Sequence, residues 1–568
     1  MSFQSRELPR VPSVEQYKKQ AKELVRFRRE AEADPSNQKL AIQLARLFKL
    51  IQQYHPEFRS KTEAEIREAE FALSDAQLVI ARENGFASWP KFIHAIEARR
   101  AGAEAQDNPE AAFLRAASVP RGEDHDGASA TIDAAEAVRK AHPGVETGSI
   151  WAAAVYGDPA VVRRFLASDP ALASERGGVY AWDALTYLCF SRYLRGLRQD
   201  EARSSGFVDA ARALLDAGAD VDTGWFDGIG EPTPSFESVI YGAAGVAQHT
   251  ELTRLLLEYG ADPNDEETAY HAAENYEQGP VRALLESGKL NEEGKTTILV
   301  RKADWHDQEG AQLVLEFGGD PHRGTRWKTT AFTWSVKRDN SITLVETMLG
   351  GIHGPLSEQP EAVQSSINAA AKLAVQRGRP DVLELLEQRG LLPDFSGPEF
   401  AGMDRLLEAC TRGDLARAKA VAAEDATARA FVFAHGGALL SQYAGANCAV
   451  GMRILLDLGI PASATNSEGD AYFDVARGGT ALHSAAWRLG HDCLRLLLER
   501  GAPIDACDER GRTALMLAVR ACVDSYWKRR RSPESIAMLL QAGAKPDGIP
   551  LPTGYAEADA LLRQHQVS

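Results

Sequence analysis

The tetrad Thr480-Ala-Leu-His returns as Thr513-Ala-Leu-Met after 33 residues, and a period of that length constrains the fold more than any bulk property of the chain. The unit GGTALHSAAWRLGHDCLRLLLERGAPIDACDERGRTALMLAV divides into a turn, a short helix (LHSAAWRL), a tight turn at Gly490, a longer helix (DCLRLLLER) and a Gly501-Ala turn into an extended segment. Each part has a physical reason. A threonine opens the first helix as its cap, and Leu482, Ala485 and Ala486 are slim enough for neighbouring helices to approach closely. Leu496, Leu497 and Leu498 supply the apolar side of the second helix. Gly501 follows it, where a left-handed residue ends a helix most cheaply. One such pair cannot bury its faces alone, so units must stack into a continuous core.

These features resemble the ankyrin repeat, whose T-P-L-H opening, G-H between helices and L-L-x-x-G-A-x-x-D ending are nearly all present at 478–520. Applied backwards, the template places unit openings at Gly148, Asp183, Ser238, Thr268, Thr297, Thr330, Ala369, Asp404, Gly437, Thr480 and Thr513. The endings LLDAGADVD (214–222), LLLEYGADPND (255–265), LEFGGDPH (315–322) and LLDLGIP (455–461) support this frame. Spacings depart from 33 where loops are inserted, at 192–206, 223–235, 465–478 and 523–534. The fold expected is all-α, an ankyrin-repeat solenoid of about eleven helix-turn-helix units.

Residues 8–98 follow a different pattern. Three stretches, PSVEQYKKQAKELVRFRREAEA, NQKLAIQLARLFKLIQQY and TEAEIREAEFALSDAQLVIARENG, carry apolar residues at helical spacing. They predict a small three- or four-helix module over 1–98, joined by a polar linker (99–110) to solenoid segments at 111–392 and 400–568. The run at 73–92, LSDAQLVIARENGFASWPKF, resembles a lead segment of bacterial ankyrin-repeat proteins. The basic helix KKQAKELVRFRRE could lie on a membrane surface, but its few apolar residues recur as a core stripe.

Bulk properties narrow the partners. Net charge is −16, and residues 1–100 hold 18 Lys+Arg against 14 Asp+Glu, leaving 46 against 66 in the remainder. An acidic remainder repels phosphate backbones and argues against nucleic acid. No apolar run approaches a membrane span, and no apolar signal core follows the charged start, so the expectation is a cytoplasmic protein without membrane association. The six cysteines form no C-x-x-C pair and read as reduced thiols; no metal site and no cofactor are expected.

The stretch RKADWHDQEG (301–310) packs Arg, Lys, Asp, Trp and His between two apolar runs. Charges at that density must face water or one another. In the repeat frame, Asp304 and Trp305 follow the small-residue pair of the first helix, where the ankyrin resemblance implies side chains projecting into a concave groove. The same positions hold Phe190 and Ser191, Asn275 and Tyr276, Lys337 and Arg338, Gln376 and Arg377, Thr411 and Arg412, and Trp487 and Arg488. A protein partner is therefore expected on Tyr276, Asp304, Trp305, Lys337, Arg338, Trp487 and Arg488. His271 and Glu274 sit one helical turn apart, which suits acid-base chemistry, but both His271 and His483 occupy the histidine of the T-P-L-H element, where the resemblance implies a bond to the adjacent turn. The basic run 528–531 reads as a solvated insertion or an anion-docking loop.

The leading expectation is a scaffold that binds a protein through its concave groove and finger loops. The alternative is an enzyme or small-molecule binder whose insertions close a pocket near residues 187–338, lined by Tyr187, Trp225, Tyr241, His271, Glu274, Asp304 and Trp305, with His271, Glu274, Asp304 and His306 as its catalytic candidates.

Overall fold

The computed structural model describes residues 14–33, 38–59, 61–69, 71–84, 86–93, 96, 108–119, 132–227, 235–265, 267–525 and 531–566. Most of the 99–110 linker and of the 223–235 insertion tip, and Lys528 to Arg530 of the basic run, lie outside them. The chain divides into two compact units, Met1–Thr268 and Ala269–Ser568.

The first unit opens with helices Val14–Ala33, Gln38–Tyr54, Glu63–Glu68 and Leu73–Glu83. Their apolar stripes meet in a core containing Phe48, Ile51, Val79, Ile80 and Phe92. Arg28 of the basic helix is drawn into this module, donating to the carbonyls of Ile66 at 2.7 Å and Ala69 at 2.8 Å. Helices Pro109–Ala117 and Asp133–Ala141 precede three helix pairs, whose first members are Ile150–Tyr156, Ala184–Cys189 and Val239–Tyr241, the last continued by a π-turn at Gly242–Val246. Two insertions differ from the loops expected. Most of 192–206 is helical, because Asp200 caps an early start of helix Glu201–Asp216 by accepting from the Arg203 amide at 3.1 Å. The 223–235 insertion carries a strand, Gly224–Asp227, which pairs antiparallel with Ser235–Ser238. Aromatic residues suit the pleat there, and Trp225 packs inward at 5.0 Å from Trp182.

The second unit continues the pattern. First helices Ala331–Lys337, Ala481–Arg488 and Ala514–Val523 start at Thr330, Thr480 and Thr513, and helix Thr268–Ala272 begins at its expected threonine. The remaining first helices are Glu292–Asp304, Glu361–Arg377, Gly402–Thr411 and Gly436–Gly445. Each is followed by its second helix, from Gly279–Glu286 to Glu534–Gln541, so all eleven expected pairs are present. The frame needs correction at Thr297, Ala369, Asp404 and Gly437, which lie inside helices rather than before them. At Thr297 the cause is local: Asn291 accepts from the Gly294 amide at 2.8 Å and starts the helix six residues earlier.

In the second unit first helices pack on first helices of the next pair at 331–337 against 361–377, 436–445 against 481–488 and 481–488 against 514–523. Leu482, Ala485, Ala486 and Leu497 are fully buried there. Gly501 turns the chain at φ +71°, as the second-helix ending requires. The cysteines are free thiols, all but Cys507 buried, and burial pushes the Cys448 thiol up to about 11. No helix among the described residues is long and apolar enough to cross a membrane.

The 465–478 insertion is an ordered hairpin. At its neck the Asn466 amide donates to Gly479 O and the Gly478 amide to Asn466 O, both at 2.8 Å. At its tip Asp470 and Val475 exchange backbone bonds of 2.8 and 2.9 Å. Asp470 Oδ1 also accepts from the amides of Tyr472 and Phe473, fixing the turn that presents both rings. Gly437 allows the neck to cross, since a Cβ there would stand 2.0 Å from Thr465 O.

Candidate partner-binding site

Helix Glu292–Asp304 stops at Trp305, and His306, with φ +52°, reverses the chain so that Asp307 caps the next helix by accepting from the Gly310 amide at 2.9 Å. This short turn brings the charges of 301–310 onto one another. Lys302 is fully buried, with Nζ 2.8 Å from Asp307 Oδ2 and 2.9 Å from Asn275 O. Burial depresses its ammonium below the ordinary value, a pull that the Asp307 contact only partly offsets. Arg301 bridges Glu274 and Asp304. Asp304 Oδ1 accepts from Trp334 Nε1 at 2.8 Å and from Arg338 Nε at 2.6 Å.

His271 and Glu274, the pair suited to proton transfer, are joined at 2.7 Å. Burial alone raises the Glu274 carboxyl, but His271 and Arg301 outweigh it and hold the group below its usual range. His483 bonds the adjacent turn through Nε2, 3.0 Å from Arg512 O, and its Nδ1 lies 3.0 Å from the Thr480 amide at the start of its own helix. Tyr187, Trp225 and Tyr241 are buried in the first unit beside Trp182 and Phe190 and belong to its core. Among the described residues no cluster of His, Cys, Asp and Glu is arranged to hold a metal.

The structure sorts the expected contact positions. Tyr276 is 56% exposed. It lies edge-on to Trp305, ring centroids 5.8 Å apart, and its hydroxyl donates to Trp305 O at 2.8 Å. Lys337 is exposed, and partial burial with Arg338 and Arg377 nearby holds its ammonium below the ordinary value. Phe190, Ser191 and Thr411 do not project at all; they are buried, and Thr411 bonds Tyr443 at 2.8 Å. Trp487 and Arg488, expected to be open to a partner, are also buried. Two things cover them. Leu517 and Ala521 of the next first helix pack on Trp487, and the 465–478 hairpin closes over both: Trp487 Nε1 donates to Phe473 O at 2.6 Å, and the Arg488 guanidinium lies 3.7 Å from the Phe473 ring centroid.

The hairpin tip reaches much further. Tyr472 donates to Asp304 O at 2.6 Å and sits 3.2 Å from His306 Nε2, across more than 160 residues of sequence. Its ring faces the Arg338 guanidinium at 3.7 Å. Beneath the tip, Asp339 binds Arg377 through both carboxylate oxygens at 2.6 Å and Arg488 at 2.7 Å, with Arg379 at 4.0 Å. Burial raises the Asp339 carboxyl, and these cations overcome it, holding the group far below the carboxylate range. Asp339, Arg379, Tyr472, Phe473 and Asp474 were not among the residues expected at the site. The acid-aromatic run Asp470-Ala-Tyr-Phe-Asp474 was the available signal, hidden in what reads as a solvated loop.

Residues 441–548 match the family profile described as ankyrin repeats (3 copies). Among solved structures the chain is similar to the human ASB11 ankyrin repeat domain, with 16% identity, 44% of this chain and 98% of that chain covered, and a TM-score of 0.19. It is also similar to the ankyrin repeat domain of Bcl-3, with 17% identity, 50% and 99% covered, and a TM-score of 0.19. No curated protein matches. The profile match falls on the units in which the helix pairs and threonine openings are most regular, and residues 441–548 are a run of ankyrin repeats.

Proposed function

We propose that the protein is a scaffold that binds another protein across the face formed by the C-terminal ends of its first helices in residues 269–568. The observation that carries this is the Tyr276–Trp305 pair. A large ring more than half exposed, with its hydroxyl fixed to backbone and its edge against a second ring, is a rigid anchor of the kind that dominates interface energetics. In the next repeat Lys337 and Arg338 lie over the Trp334 ring at 4.5 and 4.4 Å, and Arg338 pairs with Asp304 beside Trp305 in sequence. Ankyrin-repeat domains are protein-interaction scaffolds as a class, and exposed aromatic and cationic side chains at these positions fit that role. The chain's net negative charge disfavours nucleic acid as the ligand.

The test is quantitative capture from the native host's extract with the whole chain as bait, comparing wild type with Tyr276→Ala and Trp305→Ala. Proteins retained by wild type should fall at least tenfold with either variant, while the melting temperature moves little. Equal capture by all three baits overturns the assignment of this face.

A further inference from the structure

We propose that the hairpin 465–478 is a built-in ligand, and that the face it covers receives a partner-protein segment of the same chemistry: an acidic, tandem-aromatic peptide of the pattern Asp-x-Tyr-Phe-Asp carried here by residues 470–474. This rests on the binding reading above and names the chemistry of the partner.

The argument begins with how the hairpin is held. Its backbone is closed on itself at neck and tip, so the tip meets the helix ends through a few consecutive residues. Tyr472 contributes a ring under Arg338 and a hydroxyl on Asp304 O. Phe473 is buried between two guanidinium groups, Arg488 at 3.7 Å and Arg377 at 5.3 Å, and its carbonyl accepts from Trp487. Asp474 forms ion pairs with Arg510, Arg512 and Arg520, and its carbonyl accepts from Arg512 Nη2 at 3.2 Å. All of these groups fit within a linear pentapeptide, so a segment of another protein can present them in the same way.

Charge complementarity selects the class. The helix ends and the turn before Thr513 offer Lys337, Arg338, Arg377, Arg379, Arg488, Arg510, Arg512 and Arg520, and the carboxylates that pair with them, Asp304, Asp339, Asp381, Asp508 and Asp524, do not balance them. The hairpin adds Asp470 and Asp474 where that surplus lies. Guanidinium groups over ring faces favour aromatic side chains beyond their area, which excludes a merely acidic peptide. The hairpin also acts at high effective concentration because it is tethered, so an incoming segment with equal contacts cannot displace it. A partner needs additional contacts. Tyr276 and Trp305 provide them, since Tyr472 ends on Asp304 and His306, on either side of Trp305 in sequence.

The experiment is fluorescence anisotropy with a labelled synthetic peptide of residues 466–478 and the full chain. Two forms with the internal ligand disabled are compared with wild type: Tyr472→Ala with Phe473→Ala, and a chain whose residues 470–474 are replaced by Gly and Ser, each checked for folding by its circular dichroism melt. The peptide should bind either disabled chain at least tenfold more tightly than wild type. Binding should fall at least tenfold when the peptide carries alanine for both rings, when it carries asparagine for both aspartates, or when Arg520→Glu is added to the disabled chain. Equal binding to wild type and the folded disabled chains, or equal binding of the ring-less peptide, overturns the proposal. Wild-type dimers that disappear on disabling the hairpin would make a second copy of the chain the occupant, and would overturn it equally. If the peptide fails while capture still depends on Tyr276 and Trp305, this inference falls and the binding reading stands.

Discussion

Asp339→Asn tests the electrostatic centre of the second unit. The wild-type side chain is 3% exposed and faces Arg377, Arg379 and Arg488, whose side chains are 8%, 7% and 7% exposed. Two oxygens at 2.6 to 2.7 Å from Arg377 and Arg488 act as the counter-charge for cations that water barely reaches. Asparagine keeps the volume, removes the charge and turns an amide N–H toward a guanidinium. Breaking a buried pair by deleting one partner costs about 3–5 kcal/mol. With a urea slope of about 2 kcal/mol per molar, the midpoint of the transition should fall by about 1.5–2.5 M. Arg379→Met is the control and should cost less, because Arg379 lies 4.0 Å from Asp339 and its loss leaves Asp339 paired with Arg377 and Arg488. The pH dependence has a definite sign. A carboxyl held below its ordinary value stabilises the fold above the unfolded pKa of 3.8 and loses that contribution as pH falls through the folded value, so the variant's acid limb should be shallower below about pH 4. A midpoint shift under about 0.5 M, worth about 1 kcal/mol at that slope, would refute the reasoning.

Leu497→Ala should cost about 2–5 kcal/mol in urea denaturation, since Leu497 is fully buried between helices that cannot collapse to fill the space. Burial lowers the His483 imidazole below its ordinary 6.5, so the fold should lose stability as pH falls from that value and the unfolded chain takes up the proton; His483→Gln should flatten this limb of the stability-pH curve. A fragment of residues 400–568 should keep a helical spectrum and a cooperative melt, at a lower temperature than the parent, because Tyr472 and Arg488 lose their partners Asp304, Arg338 and Asp339. A fragment melting as high as the whole chain would show that the hairpin contacts contribute nothing.

The repeat was legible because its signals are local. A threonine cap, small residues on the first helix and glycine after the second are each dictated by the backbone within a few positions, and Thr330, Thr480 and Thr513 all open helices as their sequence implies. Where capping chemistry sat outside the template, as at Asn291, the frame slipped. The charged stretch 301–310 was half legible: its residues had to face water or each other, and they face each other, with Lys302 on Asp307 and Arg301 on Asp304. Exposure at the repeat's variable positions was not legible, because it depends on contacts from far along the chain. Trp487 and Arg488 follow the same local rule as Tyr276, yet they are buried while Tyr276 is open.

That difference has two physical origins, the stacking of Leu517 and Ala521 on Trp487 and the hairpin that closes over Trp487 and Arg488. Nearest-neighbour stacking predicts which faces of a repeat are buried by other repeats, but an insertion is free of the period and can reach several units away. Tyr472 does so, touching Asp304 168 positions upstream. Sequence spacing assigns such a segment to solvent because its charged and glycine residues suit a loop. Its rings argue otherwise: Tyr472 and Phe473 side by side in a freely solvated turn would leave apolar area in water, at about 25 cal/mol for each Å² exposed. Two adjacent aromatics in an insertion therefore gain from being covered, and here Arg338, Arg377 and Arg488 at the ends of first helices cover them while the flanking aspartates match the arginine charge. Under the binding proposal, the arginines that would meet a partner's acidic, aromatic segment are the ones that already hold the chain's own.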